Sequence, residues 1–327
     1  MKTPRQRRSA ERGSGRPSAK GSEGRPVEGT PATRSDTGLF GPESLSWRVH
    51  REAAVMLGGA RALLMHAAHP LVVAGARQTQ MYTQDPWTRL ERTLRLNYLV
   101  TFGSKTQAES TARHINQVHE RINGVDHVTG LRYDALDPEL LLWVHACLVD
   151  TALLMERLVV GQLDDAGRQR FHEESMVQAE MLELPRAMIP PTVGKLRTYL
   201  DEVMASGILR RTDGSEAVGN LIMNPPPETP QRPLWRLISF WSFGLLPKSI
   251  RRHVYSVGWN PLQEAAMRVS LEAVKRLRPL APAELRLIPP ARSAEQRLTR
   301  RPMVDESADS LLPGNLRLPP DSPGDSS

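Results

Sequence analysis

The sequence predicts an all-α protein, and three observations support this fold class. From residue 43 onward, apolar residues recur every three or four positions, as they do on the buried face of an α-helix. Several of these segments begin with a helix-capping residue, and two of the caps are followed by proline, at Asp85-Pro86 and Asp137-Pro138. No convincing alternating strand pattern or Asn-Gly hairpin signal is found. We therefore expect one helical domain.

The helical domain is predicted to span residues 39–288, between two disordered tails. Residues 1–38 consist largely of Arg, Ser, Gly, Pro and Thr. Such a segment cannot bury enough apolar surface to offset the entropy lost on ordering. Residues 289–327 return to Pro, Ser, Arg and Asp, so we expect disorder there as well.

The first helical segments lie between residues 43 and 76. Apolar residues at helical spacing fill residues 43–57, and a Gly58-Gly59 step then precedes a second apolar segment, residues 60–68. This segment should end at His69-Pro70, because a residue before proline is pushed out of the α region. A third apolar segment follows at once, over residues 71–76.

Two further helices are predicted between residues 85 and 124. The first starts at Asp85-Pro86 and reaches Gly103. Ser104 and Gln107 then have the spacing of a capping box, in which each side chain bonds the other residue's backbone N–H. The second helix carries Ile115, His119 and Ile122 on one face and stops before Gly124.

The rest of the domain reads as helices separated by prolines. A long, mostly buried helix covers residues 140–160, and an amphipathic, charged helix covers residues 164–182. Pro190-Pro191 separates the latter from a helix through Leu196 and Met204. Beyond a run of three prolines come a Trp-rich segment and a helix from about Pro261 to Leu277.

Composition excludes several classes of protein. The single cysteine among 327 residues, Cys147, rules out an internal disulfide framework and a Cys-based zinc site, and its apolar neighbours predict a buried side chain. Most of the net charge of +7 comes from residues 1–38, which hold nine Lys or Arg and four Asp or Glu. The folded domain therefore gives little reason to expect a specific nucleic-acid groove.

Targeting signals are also lacking in the sequence. No stretch reaches 18 consecutive apolar residues, so a transmembrane helix is not expected. The basic N-terminal segment is not followed by an apolar stretch within the first 35 residues, as a secretory signal peptide would require. We therefore expect a cytoplasmic protein.

Two histidines fall on apolar helical surfaces. His119 shares a face with Ile115 and Ile122, and His145 lies within Leu-Leu-Leu-Trp-Val-His-Ala-Cys-Leu-Val. A buried imidazole must satisfy two ring nitrogens. A metal on one nitrogen and a hydrogen-bond acceptor on the other would do so, and hydrogen bonds within an ordinary core would do so equally well.

His66 and His69 lie three apart, a spacing that suits two ligands on one helical face. His69 can instead cap helix carbonyls, since Pro70 places it at a helix end. No acidic residue lies between Met56 and Tyr82, which disfavours a two-histidine, one-carboxylate iron site built there.

An Arg-x-x-Arg-Thr cluster lies on the helix that starts at Asp85. Arg89, Arg92 and Thr93 are about one turn apart, so Arg89 shares a face with Arg92 or Thr93. Arginine stays charged in proteins. An inward-facing cluster must therefore meet an anion, or a ligand that becomes negative, whereas an outward-facing cluster is simply solvated. Phosphate-binding, dinucleotide-binding and hydrolase signatures are missing from the sequence.

Four stretches in this order give the chain a family resemblance. They are residues 61–70 (RALLMHAAHP), 85–93 (DPWTRLERT), 118–124 (VHERING) and 133–138 (YDALDP), the last running into 143–146 (WVHA). With these stretches the sequence resembles a bacterial family grouped with the fungal membrane-associated oxygenase of mycophenolic acid synthesis, MpaB. The same grouping includes the catalytic domain of rubber oxygenase, the latex clearing protein.

The resemblance implies a globin-like helical core around haem b, and oxygenases that use dioxygen to cleave a carbon–carbon double bond in an isoprenoid chain. By its pattern, His119 matches the proximal iron ligand, with His145 in reserve. Arg89, Arg92 and Thr93 match the opposite, distal side, and Thr151 matches a later threonine. The resemblance thus implies one haem site spread over three helices.

Two departures from the rubber-oxygenase pattern narrow this expectation. Arg92 stands where that pattern has a lysine, and arginine cannot give up its proton to bind iron as an amine can. No residue clearly matches the distal carboxylate that serves as a base there. The resemblance thus supports a haem site in this chain more strongly than it supports the cleavage of rubber.

The resulting hypothesis is a haem b-dependent oxygenase that acts with dioxygen on a small or medium apolar substrate, such as an isoprenoid or another alkene. Its electron donor is left open. The alternative is a non-catalytic helical carrier or sensor that binds haem or lipid. A third interpretation, association with nucleic acid through residues 1–38, would depend on the basic tail alone.

Overall fold

Helices make up nearly all regular structure in the computed structural model, which describes residues 37–79, 86–225, 229 and 232–299. For residues 86–93 it describes the helical backbone only. The prediction of an all-α fold is confirmed, while the globin-like character of the core remains a prediction. Of the predicted tails at 1–38 and 289–327, residues 1–36 and 300–327 lie outside the described residues.

Four short helices open the fold. Ser44 caps the first by accepting a hydrogen bond from the backbone N–H of Trp47. The expected break at His69-Pro70 is confirmed, because His69 has an extended backbone and Pro70 is the first residue of the next helix. The helices are α1 (Leu45–His50), α2 (Ala53–Met56), α3 (Gly59–Ala68) and α4 (Pro70–Gln78).

Two long helices follow, α5 (Pro86–Phe102) and α6 (Lys105–Glu120). The predicted capping box is present between them, with Ser104 and Gln107 each bonding the other's backbone. The expected cap at Asp85 lies outside the described residues. Helix α6 begins where the capping residues predict and carries His119 in its last turn.

A small antiparallel hairpin was not expected from the sequence. Strand β1 (Asn123–Val125) pairs with β2 (Arg132–Asp134), with Gly124 opposite Tyr133. The expectation that the domain contains no strand is therefore corrected here. Strands of three residues are too short to show an alternating pattern, and the pairing is set by the turn, in which Asp126 accepts hydrogen bonds from the backbone and side chain of Thr129.

The long buried helix predicted over residues 140–160 is present. Asp137 caps it, Pro138 opens it, and α7 (Pro138–Met155) continues as a π-helical segment (Glu156–Val160). It ends at Gly161, which has the left-handed conformation that glycine adopts without a steric penalty. Three capped helices follow: α8 (Asp165–Met181), α9 (Val193–Ala205) and α10 (Asp213–Met223).

The C-terminal helices extend the fold beyond the predicted boundary at residue 288. They are α11 (Arg232–Gly244), a π-helical segment (Ile250–Val254), α12 (Pro261–Leu277), α13 (Ala283–Arg286) and α14 (Pro289–Thr299).

Helix α14 falls in the segment that was expected to be disordered, and this part of the prediction is corrected. Ala291 and Ala294 are buried against Trp47 and Phe102. Two alanines in a polar stretch give too weak a pattern for the sequence to reveal a helix.

Helix α7 lies at the centre of the main hydrophobic core. Its residues Trp143, Ala146 and Met155 are buried together with Leu64 and Met65 of α3. Cys147 is also buried, as predicted, and burial raises the pKa of its thiol. The whole stretch Pro138–Val160 is long and apolar enough to cross a membrane by length and composition, and just over half of its most apolar window (56%) is buried inside the fold.

Close packing joins the start of α3 to α7. A Cβ atom added at Gly58 would lie 2.5 Å from Cγ of Met155 and 3.0 Å from Cγ2 of Thr151. Only glycine allows the chain to pass this close to α7. A buried ion pair ties the two ends of the domain, since Arg278 donates two hydrogen bonds of 2.9 Å to the Glu52 carboxylate.

Candidate functional site

His119 lies on α6 with a half-buried side chain. Its Nδ1 atom is buried and has no hydrogen-bond partner in the described part of the chain. Burial lowers the pKa of His119 below its usual range, so the imidazole is neutral near pH 7. A neutral imidazole is the form that binds a metal. His119 therefore has the neutral form that a metal ligand needs, and its assignment as the ligand remains a prediction.

His145 lies on α7, near His172 on α8. Burial first, and the nearby His172 second, lower the pKa of His145 to about 4. The Nε2 atom of His145 is buried without a partner within the described residues. His172 is fully buried and its Nε2 lies 2.7 Å from the carbonyl oxygen of Pro190, which fixes its ring. His145 thus stays a second candidate ligand.

His66 and His69 do not form a metal site in the described structure. His66 contacts the backbone carbonyl of Val144 at 3.1 Å through Nε2, and the ring of His69 lies 6.4 Å from that of Trp143. In the described ranges no three His, Cys, Asp or Glu side chains are grouped so as to hold a metal ion. The buried histidines therefore suit a cofactor such as haem, whose iron needs one protein ligand, better than a metal ion held by protein side chains alone.

Thr151 is buried and belongs to a network that the sequence did not reveal. Arg61 of α3 donates hydrogen bonds to the Thr151 hydroxyl, to the Leu245 carbonyl at 2.9 Å and to the Asp150 carboxylate at 2.7 Å. The guanidinium is buried, and each of its nitrogens has an acceptor. Thr151 therefore has a well-defined structural role in this network.

Arg61 and Asp150 were missed as candidate residues, although a signal was present. Arg61 sits in an otherwise apolar run, and a permanently charged side chain there needs an anionic or carbonyl partner. Asp150 lies beside Thr151, but nothing local in the sequence connects either residue with position 61. The two residues are 89 positions apart in sequence, and the packing of α3 against α7 brings them together.

The distal residues predicted on α5 fall where only the backbone is described. Arg89, Arg92 and Thr93 lie on the helix Pro86–Phe102, and their side chains are outside the described residues. Their role at the site therefore stays a prediction. The helix itself packs against α6, the helix that carries His119.

A cavity of about 280 Å³ lies between α7 and α9, away from the histidines. Asp150, Arg157 and Arg197 supply its charged groups, and leucine and valine side chains supply its apolar walls. The carboxylate of Asp150 already pairs with Arg61. This cavity therefore borders the arginine network and not the predicted haem ligand.

The buried histidines predict that the protein loses stability in mild acid. Burial lowers the pKa of both His66 and His69 to about 4, from an ordinary value of 6.5. Below pH 6.5 the unfolded chain takes up protons that the folded chain cannot, so the free energy of unfolding falls as the pH falls. The expected slope is up to about 1.4 kcal/mol per pH unit for each histidine, and it ends near pH 4.

Urea unfolding between pH 7 and pH 5 measures this slope, because most carboxylates titrate at lower pH. The double variant His66→Gln/His69→Gln should show a flatter dependence than the wild type. An unfolding free energy that stays constant over this range in the wild type would contradict the assignment.

The fold and these residues define an all-α protein whose interior holds several neutral imidazoles and a fully bonded arginine. Comparison with known proteins gives the particular family. The chain belongs to the family described as ER-bound oxygenase mpaB/B'/Rubber oxygenase, catalytic domain, whose model matches residues 47–276. The predicted resemblance is confirmed.

The curated relatives that match the chain do not indicate an activity for it. An uncharacterized protein of Mycobacterium bovis and one of Mycobacterium tuberculosis are each 24% identical to the chain over 140 residues. The matched region covers 42% of this chain and 54% of each relative, so the chain spans about half the length of the curated relatives it matches. No solved structure matches the chain.

Proposed function

We propose that the protein is a haem b-dependent oxygenase that acts with dioxygen on a small or medium apolar substrate, such as an isoprenoid or another alkene. The observation that carries this proposal is His119. It is a neutral, half-buried imidazole with an unpartnered buried nitrogen, in a sequence stretch matched by the oxygenase family model. The cytoplasmic location expected from the sequence belongs to the same proposal.

The described residues suit one imidazole ligand for a haem. Apolar side chains beside the two candidate ligands are incompletely covered, with Val118 40% exposed on α6 and Leu148 46% exposed on α7. A planar apolar group would cover such surface. In this proposal His119 provides the nitrogen ligand, and His145 and His172 line the neighbouring helices.

When bound, haem b would supply the binding and activation of dioxygen. The chain's own contribution would be electrostatic. Arg89 and Arg92 would stabilise negative charge that develops during the reaction, as preorganised donors do in other active sites, and the Thr93 hydroxyl would orient a neighbouring oxygen by a hydrogen bond. Arg92 stays protonated, so its role is that of a fixed cation and not of an iron ligand.

An absorption spectrum of the purified full chain, before and after addition of haem b, tests the cofactor. We expect a Soret band that saturates at about one haem per chain, as one axial histidine implies. A spectrum that is the sum of free haem and protein would rule out the haem site. Oxygen uptake with an isoprenoid alkene, compared with its saturated analogue, tests the activity.

The alkene should consume oxygen in the presence of a reductant, while the saturated analogue should not. A haem-loaded protein that consumes no oxygen with any alkene would instead indicate a carrier or sensor. That outcome would overturn the enzymatic half of the proposal and leave the haem site in place.

A further inference from the structure

The cavity between α7 and α9 carries an excess of positive charge. Arg157 and Arg197 both line it, and neither side chain forms an ion pair with another residue in the described part of the chain. The acidic residue that lines it, Asp150, pairs with Arg61 at 2.7 Å. This pair carries no net charge, so the charges of the two arginines are not balanced. Unbalanced charge of one sign around a cavity attracts ligands of the opposite sign.

Apolar side chains form the inner wall of the same cavity. Leu153 is 4% exposed and Leu196 is 1% exposed, while Leu154 and Val193 are half-buried. Apolar walls of this kind favour a hydrocarbon group over water. Ligand pockets commonly combine such walls with a few charged groups that fix the orientation of the ligand. The cavity therefore offers the two kinds of surface that an amphipathic anion requires.

The size of the cavity limits the ligand. Its volume of about 280 Å³ lies just below the roughly 300–1,000 Å³ of most small-molecule pockets. A short hydrocarbon chain suits this volume, and a long acyl chain exceeds it. The long, flexible stems of two arginines that line so small a cavity allow both to reach one ligand group.

The anionic group that best matches this cavity is a carboxylate. A guanidinium donates two parallel hydrogen bonds to a carboxylate, and such charge-assisted bonds are stronger than those between neutral groups. Arginine is also less strongly hydrated than lysine, which lowers the cost of removing water from it when a ligand binds. A carboxylate on a short aliphatic chain would therefore use both the arginines and the apolar wall.

We propose that this cavity binds a small aliphatic carboxylate, at a site separate from the haem. Arg157 and Arg197 bind the carboxylate group, and the hydrocarbon chain lies against Leu153 and Leu196. The proposal is based on the described cavity and its charges and does not depend on haem. Its failure would therefore leave the proposed function untouched.

Isothermal titration calorimetry of the full chain with octanoate tests the site. We expect one octanoate to bind per chain. Acetate, which lacks the hydrocarbon chain, and octanol, which lacks the charge, should each bind at least about tenfold more weakly. Inorganic phosphate should also bind more weakly, because it gains nothing from the apolar wall. Equal affinity for phosphate and octanoate would indicate a plain anion site and overturn the proposal.

Replacement of either arginine separates this site from non-specific binding. Arg157→Gln and Arg197→Gln should each weaken octanoate binding by about tenfold, since each removes a charge-assisted hydrogen bond. Both side chains are exposed, so these changes should leave the fold intact. Arg197→Lys should lose less than Arg197→Gln, because the charge is kept. Arg252→Gln is the matched control, an exposed arginine in the other π-helical segment, and should bind octanoate as the wild type does.

Two results of this comparison would overturn the site. The first is a wild type that does not bind octanoate. The second is a double variant, Arg157→Gln/Arg197→Gln, that binds octanoate as tightly as the wild type, since the arginines would then have no part in binding.

Haem provides the final test of a separate site. Octanoate should bind the haem-free and the haem-loaded chain with the same affinity, and the Soret band should not change when octanoate is added. Displacement of haem by octanoate would mean that Arg157 and Arg197 bind the carboxylates of haem itself. That result would overturn the separate site and leave the haem proposal in place.

Discussion

Replacement of His119 by alanine is expected to abolish stable haem binding. Haem held by one axial imidazole loses its only bond to the protein when that ligand is removed. The expected loss of affinity therefore exceeds the roughly 10- to 100-fold loss that follows removal of a group merely supporting a metal ligand. Titration of the purified variant with haem b, followed in the Soret region, measures the effect.

Matched variants separate ligation from folding. His114→Ala changes a half-buried histidine on the same helix and should leave haem binding unchanged. His145→Ala should retain the Soret band, with at most a small shift. His119→Gly should recover a histidine-ligated spectrum when free imidazole is added, because the small ligand fills the vacated position. Recovery of this kind cannot come from an unfolded chain.

The opposite result would assign the iron ligand to His145 instead of His119. If His145→Ala loses haem while His119→Ala keeps it, then the buried Nε2 of His145 is the iron-binding atom. The family resemblance would then hold for the fold but not for the position of the ligand.

Replacement of Arg61 by methionine is expected to destabilise the protein by about 3 kcal/mol. The change leaves the Asp150 carboxylate, the Thr151 hydroxyl and the Leu245 carbonyl without their donor. Removal of one partner of a buried ion pair typically costs about 3–5 kcal/mol. We expect the lower end, because the Asp150 side chain is 24% exposed and water can reach it. Denaturant unfolding measures the loss.

Arg157→Met is the control for this prediction. Arg157 is an exposed arginine in the π-helical segment that continues α7, and its replacement should change the unfolding free energy by no more than about 0.5 kcal/mol. In the double variant Arg61→Met/Asp150→Asn, the two losses should not add, since the second change removes the charge that the first leaves unpaired. Simple additivity would show that Arg61 and Asp150 do not stabilise each other.

Local signals in the sequence predicted most of the helices, and the reason is physical. Capping and proline effects act within a few residues, so Ser104, Asp137 and Pro70 marked helix ends without knowledge of the rest of the fold. The same local reasoning failed for the hairpin at residues 123–134 and for α14. Both are held in place by packing and turn contacts that leave no periodic pattern in so short a segment.

The candidate site was likewise predicted only in part from the sequence. The sequence placed His119 and His145 on apolar helical faces, and in the structure burial lowers the pKa of both imidazoles. The family resemblance of the sequence also linked Thr151 to the site. The structure shows that the Thr151 hydroxyl accepts a hydrogen bond from Arg61. Such a partner could not be predicted, because position 61 is 90 residues away in the chain.

The sequence alone thus determined the all-α class, the helix boundaries set by caps and prolines, and membership of the oxygenase family. Only the tertiary structure decided which buried charges meet. A charged side chain in an apolar segment indicates that a partner of opposite charge or a hydrogen-bond acceptor is needed. Which residue is the partner depends on which helices pack together. Arg61 with Asp150, and Glu52 with Arg278, are pairs of this kind. The free energy of burying a charge makes these contacts obligatory once the helices pack.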